Sequence, residues 1–285
     1  MDGEPIAAPR NAPLELKLKI MLRNWSYPEF REILYKEARD GEDHKYSSIY
    51  KRLYAYLRAL ELRGQDLSYN KIRETIKDEI GFTLSSSVLP YWLTGQGTLL
   101  TRMTVFDVHQ PEVGFVLGLI LSDGHERQRY CKGRLCGVEL MFYNKDEVLI
   151  EEFKEANYKL GISVYQRFEH GVWTVRATST LLYLLLKRYD EFILRAPVDV
   201  QLTFLKGLWL GDGHVGRNIQ FCNTDPKHIK TVSVLLRMHG IEHTVEGPYS
   251  PSGRGKKPMC CVYVRGRSRG SFLKLTGLAE SPFHA

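Results

Sequence analysis

The phrase Val116-Leu-Gly-Leu-Ile-Leu-Ser-Asp-Gly-His125 returns later in the chain as Leu205-Lys-Gly-Leu-Trp-Leu-Gly-Asp-Gly-His214. Each copy is an apolar stretch that closes on an acid, a glycine and a histidine. Small residues recur four apart, Gly118 with Ser122 and Gly207 with Gly211, so a helix would carry them on one face with no bulky side chain between. Two such helices can pack backbone against backbone. Leu119, Ile120, Leu121, Leu208, Trp209 and Leu210 would fill the core around the seam, and Gly124 and Gly213 suit the left-handed conformation that ends a helix. Asp123 and Asp212 then sit on the last turn, where a negative charge opposes the helix dipole at a cost of roughly 0.3–1 kcal/mol. An unfavourable placement found twice implies a compensating partner. A hard divalent cation held between two carboxylates supplies one.

The repeat continues beyond the motif. Phe142-Tyr-Asn-Lys-Asp146 matches Phe221-Cys-Asn-Thr-Asp225, Leu160-Gly161-Ile162 matches His239-Gly240-Ile241, and Val175 to Ser179 matches Val264 to Ser268. The spacings differ because the first half has an insertion over Glu126 to Gly137 and the second over Gly247 to Pro258, lengths natural for hairpins that carry function. Each half therefore reads helix, two strands, helix, two strands, helix. Val138, Leu140 and Phe142 alternate with Glu139, Met141 and Tyr143, and Val262 and Val264 with Tyr263 and Arg265, so one strand face is core and the other polar and basic. Asp225-Pro226 is a helix start, and Pro111-Glu112 opens the first motif helix in the same way.

On these residues the chain resembles the LAGLIDADG homing endonucleases over roughly residues 110 to 278. The sixth letter of that signature, an acid, is Leu121 and Leu210 here, whereas the eighth, which carries the chemistry in the family, is retained as Asp123 and Asp212. The resemblance implies an α+β fold in which a pseudo-two-fold pair of αββαββα halves, 106–195 and 196–285, forms a saddle of antiparallel sheets over a DNA duplex. It also implies that Asp123 and Asp212 bind Mg2+, with Ca2+ or Mn2+ as substitutes, and hydrolyse phosphodiesters. In the family a polar residue and a lysine close the second strand of each half. Asn144 and Lys145 occupy that place in the first half; in the second, Asn223 is followed by Thr224, which carries no charge unless Lys227 reaches in. One strand of the duplex is therefore expected to be cut more slowly. His125 and His214, which follow the motif glycines, read as caps for helix carbonyls rather than ligands.

A formal net charge of +7 and a pI near 9.0 fit a nucleic-acid partner, and the placement of the charge is more informative than its sum. Arg127, Arg129, Lys132 and Arg134 lie in the long first hairpin, and Arg254, Lys256, Lys257, Arg265, Arg267 and Arg269 in and after the long second one, interleaved with Tyr130, Tyr249 and Tyr263. With Arg176 and Arg217 these are the expected double-stranded DNA contacts.

Residues before about 105 have a different texture. Met1 to Pro13 reads as a loose tail without the apolar core of a signal sequence, and no apolar run is long enough to span a membrane, so a cytoplasmic, nucleoid-associated protein is expected. Residues 14–105 read as an N-terminal all-α domain. Ser68 caps one helix that ends at Gly81, and a second runs from near Ser85 to Gly95, a pattern resembling a helix-turn-helix. Ile72, Ile76, Val88, Leu89 and Trp92 would be its core, and Ser85, Ser86, Ser87 and Tyr91 would face the groove, with Pro90 a blemish. Gln96 to Gln110 reads as a linker. Cys131, Cys136, Cys222, Cys260 and Cys261 lack zinc-site spacing, so reduced thiols are expected, with a Cys131–Cys136 bridge conceivable.

The chain is thus expected to be a free-standing, monomeric, site-specific double-strand DNA endonuclease rather than an intein host, since it lacks a terminal Cys or Ser nucleophile and a closing His-Asn. Two rivals are a non-cleaving DNA-binding regulator or RNA-splicing cofactor that keeps the fold, and a purely structural repeat protein.

Overall fold

A computed structural model describes residues 6–41, 44–131, 134–250 and 257–278; the side chains of 44–47, 131 and 134–136 fall outside that description. The elements in chain order are β1 (Ala7–Ala8), α1 (Leu14–Ser26), α2 (Pro28–Asp40), α3 (His44–Gly64), α4 (Tyr69–Ile80), α5 (Val88–Leu93) and β2 (Val105–Phe106). The first half follows as α6 (Pro111–Asp123), β3 (Gly124–Cys131), β4 (Arg134–Asn144), α7 (Glu147–Lys159), β5 (Val164–Glu169), β6 (Val172–Ala177), α8 (Thr180–Lys187) and α9 (Tyr189–Ile193). The second half is α10 (Val198–Gly211), β7 (Gly213–Val215), β8 (Ile219–Asn223), α11 (Pro226–Met238), β9 (His243–Tyr249), β10 (Met259–Val264) and α12 (Arg269–Thr276).

The two four-stranded sheets have matching orders, β3-β4-β6-β5 and β7-β8-β10-β9, with every pairing antiparallel. Gly124 opposes Phe142 and Gly213 opposes Phe221, so each motif glycine starts its edge strand at the equivalent rung. The α+β fold with paired halves is therefore as expected. Helix starts follow local chemistry. Asp146 accepts from Val148 N at 2.9 Å, Asp225 from Lys227 N at 2.8 Å, and Pro226 sits at the first turn of α11, where a missing N–H costs nothing.

Four expectations are corrected. Gly124 ends α6 in an extended conformation (φ −108°, ψ 174°), and Gly213 is not among the glycines with positive φ, so neither is a left-handed cap. Instead each helix runs straight into its strand, and a β-carbon at either position would collide with the last turn behind it, with Ile120 at Gly124 and Trp209 at Gly213. Second, part of the expected loose tail is built into the fold: β1 pairs with β2, and Ala8 is fully buried. Third, the linker after Gln96 is built, with a 3-10 turn at Leu99–Arg102 followed by β2. Fourth, Ala177 rather than Val175 is the counterpart of Val264, because Leu140 opposes Ala177 where Ile219 opposes Val264. A shift of two residues keeps every side chain on its face, so alternation alone is blind to it.

The core is continuous from the N-terminal helices through both halves. Trp209 packs on Phe221 and Phe272, with ring centroids 5.4 and 4.8 Å apart, and burial of each such side chain contributes roughly 1.5–3 kcal/mol. The N-terminal helices are joined to the first half by polar bonds as well. Glu37, buried on α2, takes Lys187 Nζ at 2.5 Å and Arg188 Nε at 3.3 Å, and Tyr50 Oη donates to Thr180 O at 3.1 Å. Within the N-terminal module, Ser68 caps α4 and Gly81 ends it at φ +63°, as expected, with Ile72, Ile76, Leu89 and Trp92 buried and Val88 partly so. The second helix, α5, is only 6 residues long and does not extend from Ser85 to Gly95.

Candidate active site

The site begins with the small residues of α6 and α10. A β-carbon on Gly118 would strike the Phe204 carbonyl and come 2.8 Å from Leu208 N, and one on Gly207 would come 2.5 Å from Phe115 O. These clashes define a seam in which the two backbones touch. Next to the tips, a β-carbon on Gly211 would overlap the Ser122 side chain and come 3.4 Å from Asp123 Oδ2. The Asp123 carboxylate therefore lies against the last turn of α10, beside Asp212.

The electrostatics register the same proximity. Burial raises the pKa of Asp123, partly offset by Asn144 Nδ2, which donates to Asp123 Oδ2 at 3.0 Å. Asp212 is pushed up to about 6, first by desolvation and then by the charge on Asp123. Asp212 is exposed as a residue, yet protein crowds its carboxyl. No lysine or arginine pairs with either acid among the described residues. Two neighbouring half-buried carboxylates, one of them raising the proton affinity of the other and neither paired with a base among the described residues, fit a divalent cation, which supplies hard positive charge and keeps waters on its remaining positions. Among the described residues no cluster of three or more His, Cys, Asp or Glu exists, so a cation here would rely on the two acids and on water or substrate oxygens.

The two halves diverge around this pair. Asn144 Oδ1 accepts from Asp146 N at 2.9 Å while its amide holds Asp123, so the side chain is fixed at both ends. Asn223 Oδ1 accepts from Asp225 N at 2.8 Å in the matching way, but no bond to Asp212 accompanies it. Lys145 is exposed without an ion pair among the described residues; Thr224 is exposed at the equivalent place. Lys227 does not join the acids: its ammonium lies 2.8 Å from Asp190 Oδ1 and 4.8 Å from the Tyr189 ring centre, both on α9.

Alternation places His125, Arg127, Arg129 and Arg176 on the polar face of the first sheet. Glu139, on the polar face as its alternation implies, sits among them and accepts from Arg129 at 3.4 Å and faces Arg176 at 3.8 Å. Tyr165 was not singled out, although Arg176 lies 4.4 Å from its ring; the exposed alternation of Tyr165 and Arg167 in β5 was the available signal. In the second sheet His214, Gln220 and Tyr263 share the polar face. Arg217, Lys257 and Arg265 are exposed, Arg267 pairs with Glu242, and Arg269 Nη1 donates to Gly216 O at 2.6 Å. Lys132, Arg254 and Lys256, and the side chains of Arg134, Cys131 and Cys136, lie outside the described residues. Ser85, Ser86, Ser87 and Tyr91 are exposed on the N-terminal module.

The expectation of reduced thiols is corrected in part. Cys222 and Cys261 are directly opposed on β8 and β10, with Cα atoms 4.1 Å apart, and are joined as a disulfide, while Cys260 is free. Spacing in sequence could not show this, because the pairing depends on the register of two strands encoded far apart.

Comparison with known proteins bears on the fold. A DNA polymerase of Thermococcus kodakarensis is 24% identical over 231 residues, 77% of this chain and 13% of that protein. An uncharacterized protein of Methanocaldococcus jannaschii is 25% identical over 156 residues, 47% of this chain and 17% of that protein. The chain thus spans less than a fifth of the length of these curated relatives. The solved structure of the homing endonuclease I-DmoI in complex with DNA and Mn superposes with a TM-score of 0.50 at 20% identity, covering 58% of this chain and 96% of that one. Likeness at that identity speaks for the fold. Residues 199–277 match the family model described as a LAGLIDADG-like domain, and the fold in which they are set is that of the LAGLIDADG homing endonucleases.

Proposed function

We propose that this chain is a site-specific double-strand DNA endonuclease whose chemistry is centred on Asp123 and Asp212, acting as a monomer. The observation that carries the reading is the meeting of these two carboxylates at the tips of α6 and α10, with no basic side chain among the described residues to neutralise them, beside a sheet whose polar face carries Arg127, Arg129 and Arg176. That a protein of the same fold was crystallised with DNA and Mn supports it.

A divalent ion bound by both acids would lend positive charge to the phosphate being cut and lower the pKa of a bound water. The remaining work falls to the chain. Asn144 orients the Asp123 carboxylate through its amide. Lys145, exposed beside it, can offer its ammonium to the charge that builds on the phosphate oxygens in the transition state. Arg127 and Arg176 hold the duplex by its phosphates in the first half, and Arg217 and Arg265 in the second.

Incubating the protein with a randomised duplex library, with Mg2+ and separately with Ca2+, and sequencing the bound and cleaved pools tests this reading. Site-selective cleavage that disappears in Asp123→Asn and in Asp212→Asn is expected. Selective binding without cleavage in any divalent ion would instead identify a DNA-binding regulator on the same fold.

A further inference from the structure

Several basic side chains of the N-terminal module are matched by acids. Arg58 pairs with Glu61 and Glu79, Arg31 with Glu61, Lys36 with Glu32 and Glu191, and Arg39 with Asp40. Arg10, Arg52 and Arg102 are different. All three are exposed, none has a carboxylate partner among the described residues, and they line two adjoining clefts. One, of about 720 Å3, lies between the module and the first half, with Arg10, Asn11, Arg102, Ser163 and Thr178 in its walls. The other, of about 290 Å3, runs between Arg52, Tyr91 and Arg102. Thr101 and Arg102 belong to both, so the two adjoin at these residues, and neither wall contains an aspartate or glutamate.

The groove is built rather than incidental. Lys17 is fully buried beneath it, and its ammonium donates to Arg10 O at 2.5 Å, Leu100 O at 3.0 Å and Thr101 O at 3.3 Å. One buried cation therefore fixes the two backbone segments that present Arg10 and Arg102. On the far side, Gly97 leaves room for the Tyr91 ring, which a β-carbon there would strike. The position along the molecule also matters. Strand β6 runs from Trp173, opposite Asn144 near the acids, to Ala177, opposite Leu140, so Ser163 and Thr178 flank the ends of β5 and β6 that point away from Asn144.

Three unneutralised guanidiniums with hydroxyl donors between them and no acids in the walls match the phosphates of a nucleic-acid backbone. Resting on the DNA reading above, we infer that this groove is a second phosphate-binding site that grips the duplex beyond the first half. The footprint on DNA is then longer on the first-half side than on the second.

The full-length chain is titrated with a random-sequence duplex long enough to run past the first half, and with a short one that covers only the two sheets, across a salt series. Replacing all three arginines, R10A/R52A/R102A, lowers affinity for the long duplex by about tenfold or more and flattens the dependence of log K on log salt by about one per arginine removed. Binding of the short duplex is unchanged, as is binding of either by R39A, which removes a matched arginine. The corresponding triple lysine variant retains long-duplex binding, since a phosphate accepts either cation. Unchanged long-duplex affinity and salt slope in the triple alanine variant overturn the groove and leave the nuclease reading intact. An equal loss on both duplexes also overturns it, because the arginines would then act on the fold or on the sheets. If the wild-type chain binds neither duplex, the failure belongs to the DNA reading itself.

Discussion

Gly118 on α6 and Gly207 on α10 face each other so closely that a β-carbon built on Gly118 would lie 3.0 Å from the Cα of Gly207, and one built on Gly207 3.1 Å from the Cα of Gly118. Nothing in that seam is the end of a flexible side chain that could swing away; the opposing atoms are backbone. The separation of the helix axes, and with it the separation of the two carboxylates, is set here. Gly207→Val is expected to lower the unfolding free energy by about 3 kcal/mol or more, at the upper end of overpacking costs, and to reduce cleavage more than DNA binding. Urea denaturation and paired binding and cleavage assays measure both. Gly137→Ala, where a β-carbon meets nothing within 4 Å, is the matched control and stays near wild type in both.

Asp212, with a pKa of about 6, makes stability depend on pH in an unusual direction for an acid. The folded chain keeps this proton up to about pH 6, whereas an unfolded aspartate releases it near pH 4. Between those values the folded state binds more protons, so cation-free stability falls as pH rises through the window. Asp212→Asn should therefore stabilise the cation-free protein above pH 6, by about 1 kcal/mol once solvent screening at the groove is allowed for. Thermal melts in chelator at pH 5 and pH 7.5 check the sign, and a variant less stable than wild type at the higher pH would contradict it. Millimolar Mg2+ should narrow the difference by stabilising the wild type alone.

The inequality between Lys145 and Thr224 should show as unequal strand cutting. With supercoiled substrate carrying the selected site, a nicked intermediate should accumulate before linear product. Thr224→Lys should shorten its lifetime, and Lys145→Thr should slow the faster nick by about tenfold to a hundredfold, the range for losing one transition-state donor of modest strength. Concerted cutting with no nicked species in the wild type is the outcome inconsistent with this assignment.

Lys17→Met keeps much of the buried stem but leaves the carbonyls of Arg10, Leu100 and Thr101 without their donor. A cost of about 2–3 kcal/mol is expected from those unsatisfied groups. Hydrogen exchange should accelerate at β1, β2 and the Leu99–Arg102 turn before it does in the second half, which shares no contact with this lysine.

Several features were legible because they are periodic or local. The paired motif phrases gave away two helices of one kind, and the caps at Ser68 and Asp225 were visible as single residues with a defined job. The alternation in β4 separated Phe142 from Tyr143. By contrast, Asn144 as the partner of Asp123 was recognisable only by its place at a strand end, and neither the pairing of Glu139 with Arg129 and Arg176 nor the buried Lys17 was legible. A buried or face-sharing polar residue differs from a solvated one by its neighbours, and those neighbours come from distant segments.

By itself the sequence determined that the chain contains two related units, which faces of their strands are apolar, and which two acids end the repeated helices. Those properties follow from side-chain size and spacing along a helix or strand. Tertiary structure alone decided that Gly124 and Gly213 serve close packing in extended chain, that Ala177 rather than Val175 answers Val264, and that Cys222 meets Cys261. It also decided that Lys227 turns to Asp190 and that Arg10, Arg52 and Arg102 border one groove. Each of these is a choice of partner, set by how whole elements dock to bury their apolar surface, and local pattern is the same whichever partner is chosen.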